Sequence, residues 1–288
     1  MTAFTNLPPR PQLAPATPAY DRWTSPQGDL SALFFRRDNG FLVRFPDEAD
    51  FEIDEATGAV RCYPVSEGLR REAHSLYENS IVPLIGNHHG GLFLHASAIV
   101  TPQQNALAFL GVSRRGKSTT AAAFARAGHP YLSEDVLRLE QVDHGYTANP
   151  SRPVIRLLDD SAVRLLGRAP GQGEDDDDKV EFATAGILPF ATAPTPLAMF
   201  YFLGPGAATA VEIAPLASHL ALAEMMQHAF VLDVDDKQRL RQRFARLSDL
   251  SAEVPCFRLD FPRNYAQLPQ VIDTILHHAR DHRSSHDA

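Results

Sequence analysis

The sequence predicts a mixed α/β protein organised around a glycine-rich loop, with a small β-rich unit ahead of it. Three observations lead there. Residues 111–119 read Gly-Val-Ser-Arg-Arg-Gly-Lys-Ser-Thr, a full match to the phosphate-binding pattern G-x-x-x-x-G-K-[ST]. The match is flanked by an apolar run on one side and an alanine-rich, helix-forming run on the other. Strand-like and helix-like segments are mixed after Gly90, whereas Ala32 to Tyr63 reads as strands alone.

In chain order, residues 1–22 are rich in Pro, Ala and Thr and are expected to form a flexible or extended arm. A β-rich unit with one helix is expected over 23–90. Its strands are Leu33-Phe34-Phe35, Phe41 to Phe45, Phe51-Glu52-Ile53 and Val60 to Tyr63, separated by Asp-Asn-Gly, Pro-Asp and Thr-Gly turn signals. Leu69, Ala73, Leu76, Tyr77 and Ile81 recur at helical spacing, which predicts a helix over 68–82. The larger unit, 91–281, opens with one strand over Leu92–Val100. Further strands are expected at 154–158, 197–203, 211–213 and 256–261, and helices at 217–229, 235–250 and 265–281. A disordered tail is expected over 282–288.

The composition excludes several classes. With 44% hydrophobic and 22% charged residues in 288, the chain is an ordinary globular sequence. A formal net charge of -8 and the lack of a basic stretch argue against a nucleic-acid partner. Arg239, Arg241 and Arg243 fall in a helical pattern and read as a solvated face. No apolar run approaches the ~18 residues of a membrane span, and no secretory leader is evident, so a cytoplasmic location is expected. Cys62 and Cys256 form no metal or redox motif and are read as core residues. Asp175 to Asp178, with Glu174 ahead of them, repel one another and are expected in an exposed loop.

Each position of the loop motif has its own task. Gly111 and Gly116 let successive N–H groups turn inward toward phosphate oxygens. Lys117 places a cation near the β- and γ-phosphates, and the Ser118 hydroxyl can ligate Mg²⁺. Ser113, Arg114, Arg115 and Thr119 complete the nucleotide-binding set. Ala106 to Leu110 is the size of a buried strand, Ser118 to Ala127 forms the helix, and Gly128 suits its C-cap. This order aims a helix N-terminus at the anion.

Ser133-Glu134-Asp135 ends a short apolar stretch soon after that helix. A carboxylate there can hold Mg²⁺ or accept a proton from an attacking hydroxyl, and two adjacent acids can divide these tasks. His95, in Leu94-His95-Ala96-Ser97, is either a satisfied core group or a site residue; the residues alone leave both open.

The stretch from His95 to Val136 resembles the catalytic domain of HPr kinase/phosphorylase and its shorter relatives. The matching pieces are His95-Ala96-Ser97, Gly111 to Thr119, Arg126-Ala127-Gly128-His129 and Ser133-Glu134-Asp135. The wider layout, including Pro153 to Leu157, Pro196-Leu197-Ala198 and Val254 to Leu259, is similar to HPr-kinase-related proteins of peptide-biosynthesis clusters such as lasso-peptide kinases. The resemblance implies a P-loop core like that of HPr kinase and phosphoenolpyruvate carboxykinase, with ATP and Mg²⁺ as cofactors. It implies phosphoryl transfer to a serine of a peptide or small protein. Asp135 then maps to the base, His95 to the family's histidine beside the loop, and Lys117 to the catalytic lysine, with Ser118, Glu134 and Asp135 as metal ligands. The family's habit of oligomerising leaves a homo-oligomer open.

There are departures. Glu134 stands where the family has Asp, and Arg114-Arg115 where it often has small residues. Arg156 and Lys179 sit where related proteins carry basic residues. No counterpart of the C-terminal phosphorylase signature is present. The expected function is an ATP-dependent serine kinase. A nucleotide-binding regulatory or maturation factor without transfer is the alternative from another class, and a kinase of a small metabolite hydroxyl is the alternative enzyme.

Overall fold

The computed structural model describes residues 3–25, 28–167 and 180–284; the acidic run 174–178 and Lys179 lie outside them. The chain divides into two compact units, Met1–Gly90 with Phe230–Leu240, and Gly91–Ala229 with Arg241–Ala288. Among the described residues no helix is long and apolar enough to cross a membrane.

The first unit is a six-stranded sheet of β1 (Phe4–Asn6), β2 (Asp21–Thr24), β3 (Leu30–Arg37), β4 (Gly40–Phe45), β5 (Ala49–Asp54) and β6 (Val60–Pro64), in the order β1-β6-β5-β4-β3-β2. The expected strands form at their expected places because each is a short apolar-rich run between turn signals; β6 alternates buried and less buried residues, while β4 is buried on both faces. The segment expected as a flexible arm instead supplies both edges. Phe4–Asn6 pairs in parallel with β6, and Asp21–Thr24 pairs antiparallel with β3. Its prolines lie between these strands and leave the paired N–H groups free to bond. The expected helix is built of α1 (Arg70–Leu76), a π-turn over Tyr77–Ile81, and α2 (Val82–His88). Pro83, which has no N–H to donate, follows directly on the π-turn, where the helical hydrogen-bond pattern already shifts.

The second unit is a mixed α/β layer structure. Its strands are β7 (Leu92–His95), β8 (Ser97–Val100), β9 (Ala106–Leu110), β10 (Tyr131–Ser133), β11 (Val136–Val142), β12 (Gly145–Asn149), β13 (Val154–Leu157), β14 (Val180–Ala183), β15 (Thr195–Leu203), β16 (Glu212–Pro215) and β17 (Cys256–Asp260). Its helices are α3 (Lys117–Arg126), α4 (Asp159–Leu166), α5 (Ser218–Gln227), α6 (Lys237–Glu253, whose first four residues count with the first unit) and α7 (Leu268–Ser284). The main sheet runs β10-β8-β9-β15-β12-β11-β7, with β17 beside β15 and β16 beside β17; β13 and β14 form a separate pair.

Alternation along β9 and β15 explains the layers. Leu107, Phe109, Met199 and Tyr201 face one way, into a core shared with α3, α4 and α7. Ala106, Ala108, Leu110, Phe200 and Phe202 face the other, with α5 and α6. Cys62 and Cys256 are both buried and unpaired, as expected of core residues.

The single strand expected over Leu92–Val100 is two strands. The break is at Ala96, whose N–H bonds the carbonyl of Asp135 at 3.1 Å. β7 pairs with β11, while β8 pairs with β9 and β10. One apolar run therefore serves two parts of the sheet. Its uniform hydrophobicity gives no sign of the change of partner.

Candidate functional site

β9 is buried along its whole length and enters the glycine loop at Gly111. A Cβ on Gly111 would lie 3.2 Å from Leu203 Cβ and 3.3 Å from Arg115 Cβ. The residue is glycine because β15 and the loop itself close on it. Val112 to Arg115 make a turn, closed by Arg115 N–H on the Val112 carbonyl at 3.2 Å. Arg114 takes a positive φ of 65° in this turn, where glycine is the cheaper residue. Gly116 then has φ 91° and ψ 17°, the left-handed geometry that turns the chain into α3.

α3 begins at Lys117, one residue ahead of the expected start. Lys117 and Ser118 are both buried, and the Lys117 ammonium donates to the Gly111 carbonyl at 2.7 Å, closing the loop on itself. The Lys117 carbonyl accepts from the Ser97 hydroxyl at 3.0 Å, which pins the helix start to β8. Thr119 reaches Ser161 on α4 at 3.3 Å, so it faces a neighbouring helix. Ser113 and Arg114 are exposed at the loop tip, and Arg115 is half-buried.

Glu134 and Asp135 lie between β10 and β11, and each is 5% exposed. Such carboxylates need partners. Arg156 on β13 supplies them. Its Nη2 bonds Asp135 Oδ2, and its Nε is 3.8 Å from Glu134 Oε2. Burial pulls the Arg156 pKa down, but Asp135, Glu134 and Glu181 outweigh it, so the guanidinium is held above its ordinary value. His95 Nε2 approaches the other Asp135 oxygen, at 3.4 Å from Oδ1. His95 thus stands beside the acid pair.

The sheet fixes how these groups meet. β8 runs antiparallel to both β9 and β10, with Ser97 opposite Phe109 and Ser133 opposite Ala98. β9 and β10 therefore run in the same direction, and their carboxyl ends, at Gly111 and Glu134, lie along one sheet edge. They are two strand spacings apart, about 10 Å. Ligand crevices of α/β sheets form outside such carboxyl ends.

Two contributors were not singled out by sequence reasoning, and a third was weakly marked. Ser97 was seen only as part of a motif. Arg156 was placed only by its resemblance to a basic position, because no spacing rule joins residue 156 to residue 135. His228 gave no signal; it ends α5, and its carbonyl accepts from His95 N–H at 2.8 Å. Its ring is buried, and Nε2 has no hydrogen-bond partner among the described residues. Burial, with the charges of Lys117 and His95, pushes its imidazole down to about 3, so it is neutral at pH 7. Among the described residues no group of three or more His, Cys, Asp or Glu is arranged to hold a metal ion.

Neither a family model nor a curated protein sequence matches the chain. Among solved structures it is similar to the Hpr(Ser) kinase/phosphatase from Coxiella burnetii. The identity is 13% and the TM-score 0.39, over 68% of this chain and 99% of that one. The function proposed below rests on the residues and geometry of this chain instead.

Proposed function

We propose that this chain is an ATP-dependent kinase of the HPr-kinase-like type, with a P-loop core, that transfers the γ-phosphoryl group to a serine hydroxyl of a peptide or small protein. One observation carries the reading. The glycine loop with its buried lysine and the buried Glu134–Asp135 pair with His95 occupy carboxyl strand ends on one edge, about two strand spacings apart.

The residues fit a magnesium-bound triphosphate. Gly111 and Gly116 hold positive φ, and the N-terminus of α3 follows at once. Bound Mg-ATP would supply the phosphoryl group and a divalent positive charge. Lys117 and the loop N–H groups would neutralise the β- and γ-phosphates, with Arg114 and Arg115 adding positive charge at the loop tip. The Ser118 hydroxyl with Glu134 or Asp135 would hold the cation. Asp135 would take the hydroxyl proton as the serine oxygen bonds to the γ-phosphorus and the bond from that phosphorus to the bridging oxygen of ADP breaks. His95 would orient the carboxylate from its second oxygen. An alcohol is a weak nucleophile at neutral pH, so a placed base helps most with that acceptor. A cytoplasmic location, and a homo-oligomer as in the resembled family, belong to the same reading.

The grip of Arg156 on Asp135 favours the alternative, a nucleotide-binding regulatory factor without transfer, because a paired carboxylate is a weaker base. The test is to incubate the full chain with Mg-ATP labelled at the γ-phosphate and with the peptides encoded by adjacent genes. The expected product is an acid-stable phosphoserine mapped by mass spectrometry. An acid-labile phosphohistidine, or nucleotide held with no transfer to any of these peptides, contradicts the proposal.

A further inference from the structure

The same sheet edge carries a third group, after β17. Asp260 ends that strand, and its carboxylate accepts from the N–H groups of Gly206, Ala207 and Ala208 at 2.6, 3.0 and 3.2 Å. Those three bonds hold the chain after β15 against the end of β17. Arg263, three residues on, donates from Nη2 to the Gly204 carbonyl at 2.7 Å and stands 4.3 Å over the Phe261 ring. Its distance to Asp260 Oδ1 is 4.0 Å, too long for a hydrogen bond, and the carboxylate is already committed to backbone. The charge of Arg263 is therefore only partly answered.

The passage for this side chain is built into the backbone. A Cβ on Gly206, which has φ +83°, would lie 2.6 Å from Arg263 Cγ and 2.9 Å from its Nε. A Cβ on Gly204 would lie 2.7 Å from Asp260 Cγ. Two glycines thus admit the Asp260–Arg263 pair where any larger residue would collide. The far end of the arginine reaches the glycine loop: Nη1 is the nearest heavy atom to a Cβ built on Gly116, at 4.0 Å. No hydrogen-bond partner of Nη1 is found among the described residues.

We propose that Arg263 is a phosphate-binding residue of the nucleotide site, bringing a second cation, beside that of Lys117, to the glycine loop at Gly116. This rests on the nucleotide reading above and deepens it. The ligand class is a nucleoside polyphosphate, and arginine suits it because its planar fork matches phosphate oxygens. Burial lowers the basicity of Arg263; the charge of Asp260 works against this, and the nearby charge of Arg115 adds to the lowering. Two guanidiniums that repel at the loop entrance are stabilised together by an anion between them.

The test compares the full chain with Arg263→Gln, Arg263→Lys and, in parallel, Lys117→Ala. Mg-ATP affinity is measured by calorimetry, and thermal unfolding is followed with and without Mg-ATP. The expected result is a 10- to 100-fold weaker affinity for Arg263→Gln and a smaller loss for Arg263→Lys. The ATP-induced rise in Tm should shrink accordingly, while the ligand-free Tm of Arg263→Lys stays near that of the unaltered chain. Affinity within two-fold of the unaltered chain in both Arg263 variants, with Lys117→Ala losing binding, overturns the proposal and leaves the nucleotide reading standing. An unaltered chain that does not bind Mg-ATP, or Lys117→Ala binding it normally, overturns both.

Discussion

His95 Nε2 lies 3.4 Å from Asp135 Oδ1, across the β7–β11 pairing in which His95 stands opposite Val136. The pairing exists because the apolar run from Leu92 to Val100 changes partners at Ala96, which frees β7 to bond β11. Asp135 is thereby engaged on both oxygens, by His95 on one and Arg156 on the other. A carboxylate held so cannot rotate, which suits a group that must meet a hydroxyl in one orientation.

Lys117 is expected to be required for nucleotide binding. It is buried at the start of α3 with its ammonium on the Gly111 carbonyl, so its charge lies within the loop. Lys117→Ala should weaken Mg-ATP binding by at least 10-fold and abolish turnover, because the phosphate charge loses its buried counter-charge. Titration calorimetry checks this, and unchanged affinity would remove the loop from the account.

Gly116→Ala should cost stability for conformational reasons. The nearest atom to the added Cβ is 4.0 Å away, so space is available, but φ is +91°. A left-handed non-glycine residue costs about 1–2 kcal/mol. Urea unfolding should show that loss, with further loss of ATP affinity if the loop relaxes to another shape. A variant as stable as the parent would mean that the turn into α3 is not under this constraint.

His228 should make the protein acid-sensitive. Its imidazole sits at about 3 in the folded chain, against about 6.5 when unfolded. Between those values the unfolded state binds the proton and the folded state does not, so stability falls as pH drops from about 6.5 toward 3. His228→Gln removes that titration. Its unfolding free energy should fall less steeply with acid, by up to about 1.4 kcal/mol per pH unit. Parallel slopes for the two proteins between pH 6 and 4 would contradict the assignment.

Much of the site was legible because its pieces are local. The loop, the strand before it and the helix after it are contiguous, and Glu134 and Asp135 follow the short strand that comes next after that helix. The groups that answer the acids were hardly legible, because they arrive by tertiary pairing. Arg156 comes from β13, in a separate two-stranded sheet; His228, which bonds the His95 backbone and not the acids, comes from the end of α5. In the fold, strands between clear turn signals in the first unit stand where the pattern put them. β11 and β12 were missed because Arg138, Glu140 and Gln141 break the apolar run while only alternate residues are buried. α4 was missed for its shortness, although Asp159 and Asp160 in its first turn and Gly167 at its end are ordinary boundary signals.

The central claim is that Asp135 serves transfer more than nucleotide binding, and Asp135→Asn tests it most directly. Asparagine keeps the shape but removes the proton acceptor and half of the pair with Arg156. A thermal unfolding scan should first establish that the variant is folded, since loss of one partner of a buried pair costs up to about 3–5 kcal/mol. Mg-ATP affinity and the rate of phosphate appearance on the acceptor serine are then measured on the same preparation. The account predicts near-normal affinity with transfer slowed by roughly 10²–10⁴-fold, the usual worth of a general base. A folded variant that transfers phosphate at the parent rate would contradict it and place the base elsewhere.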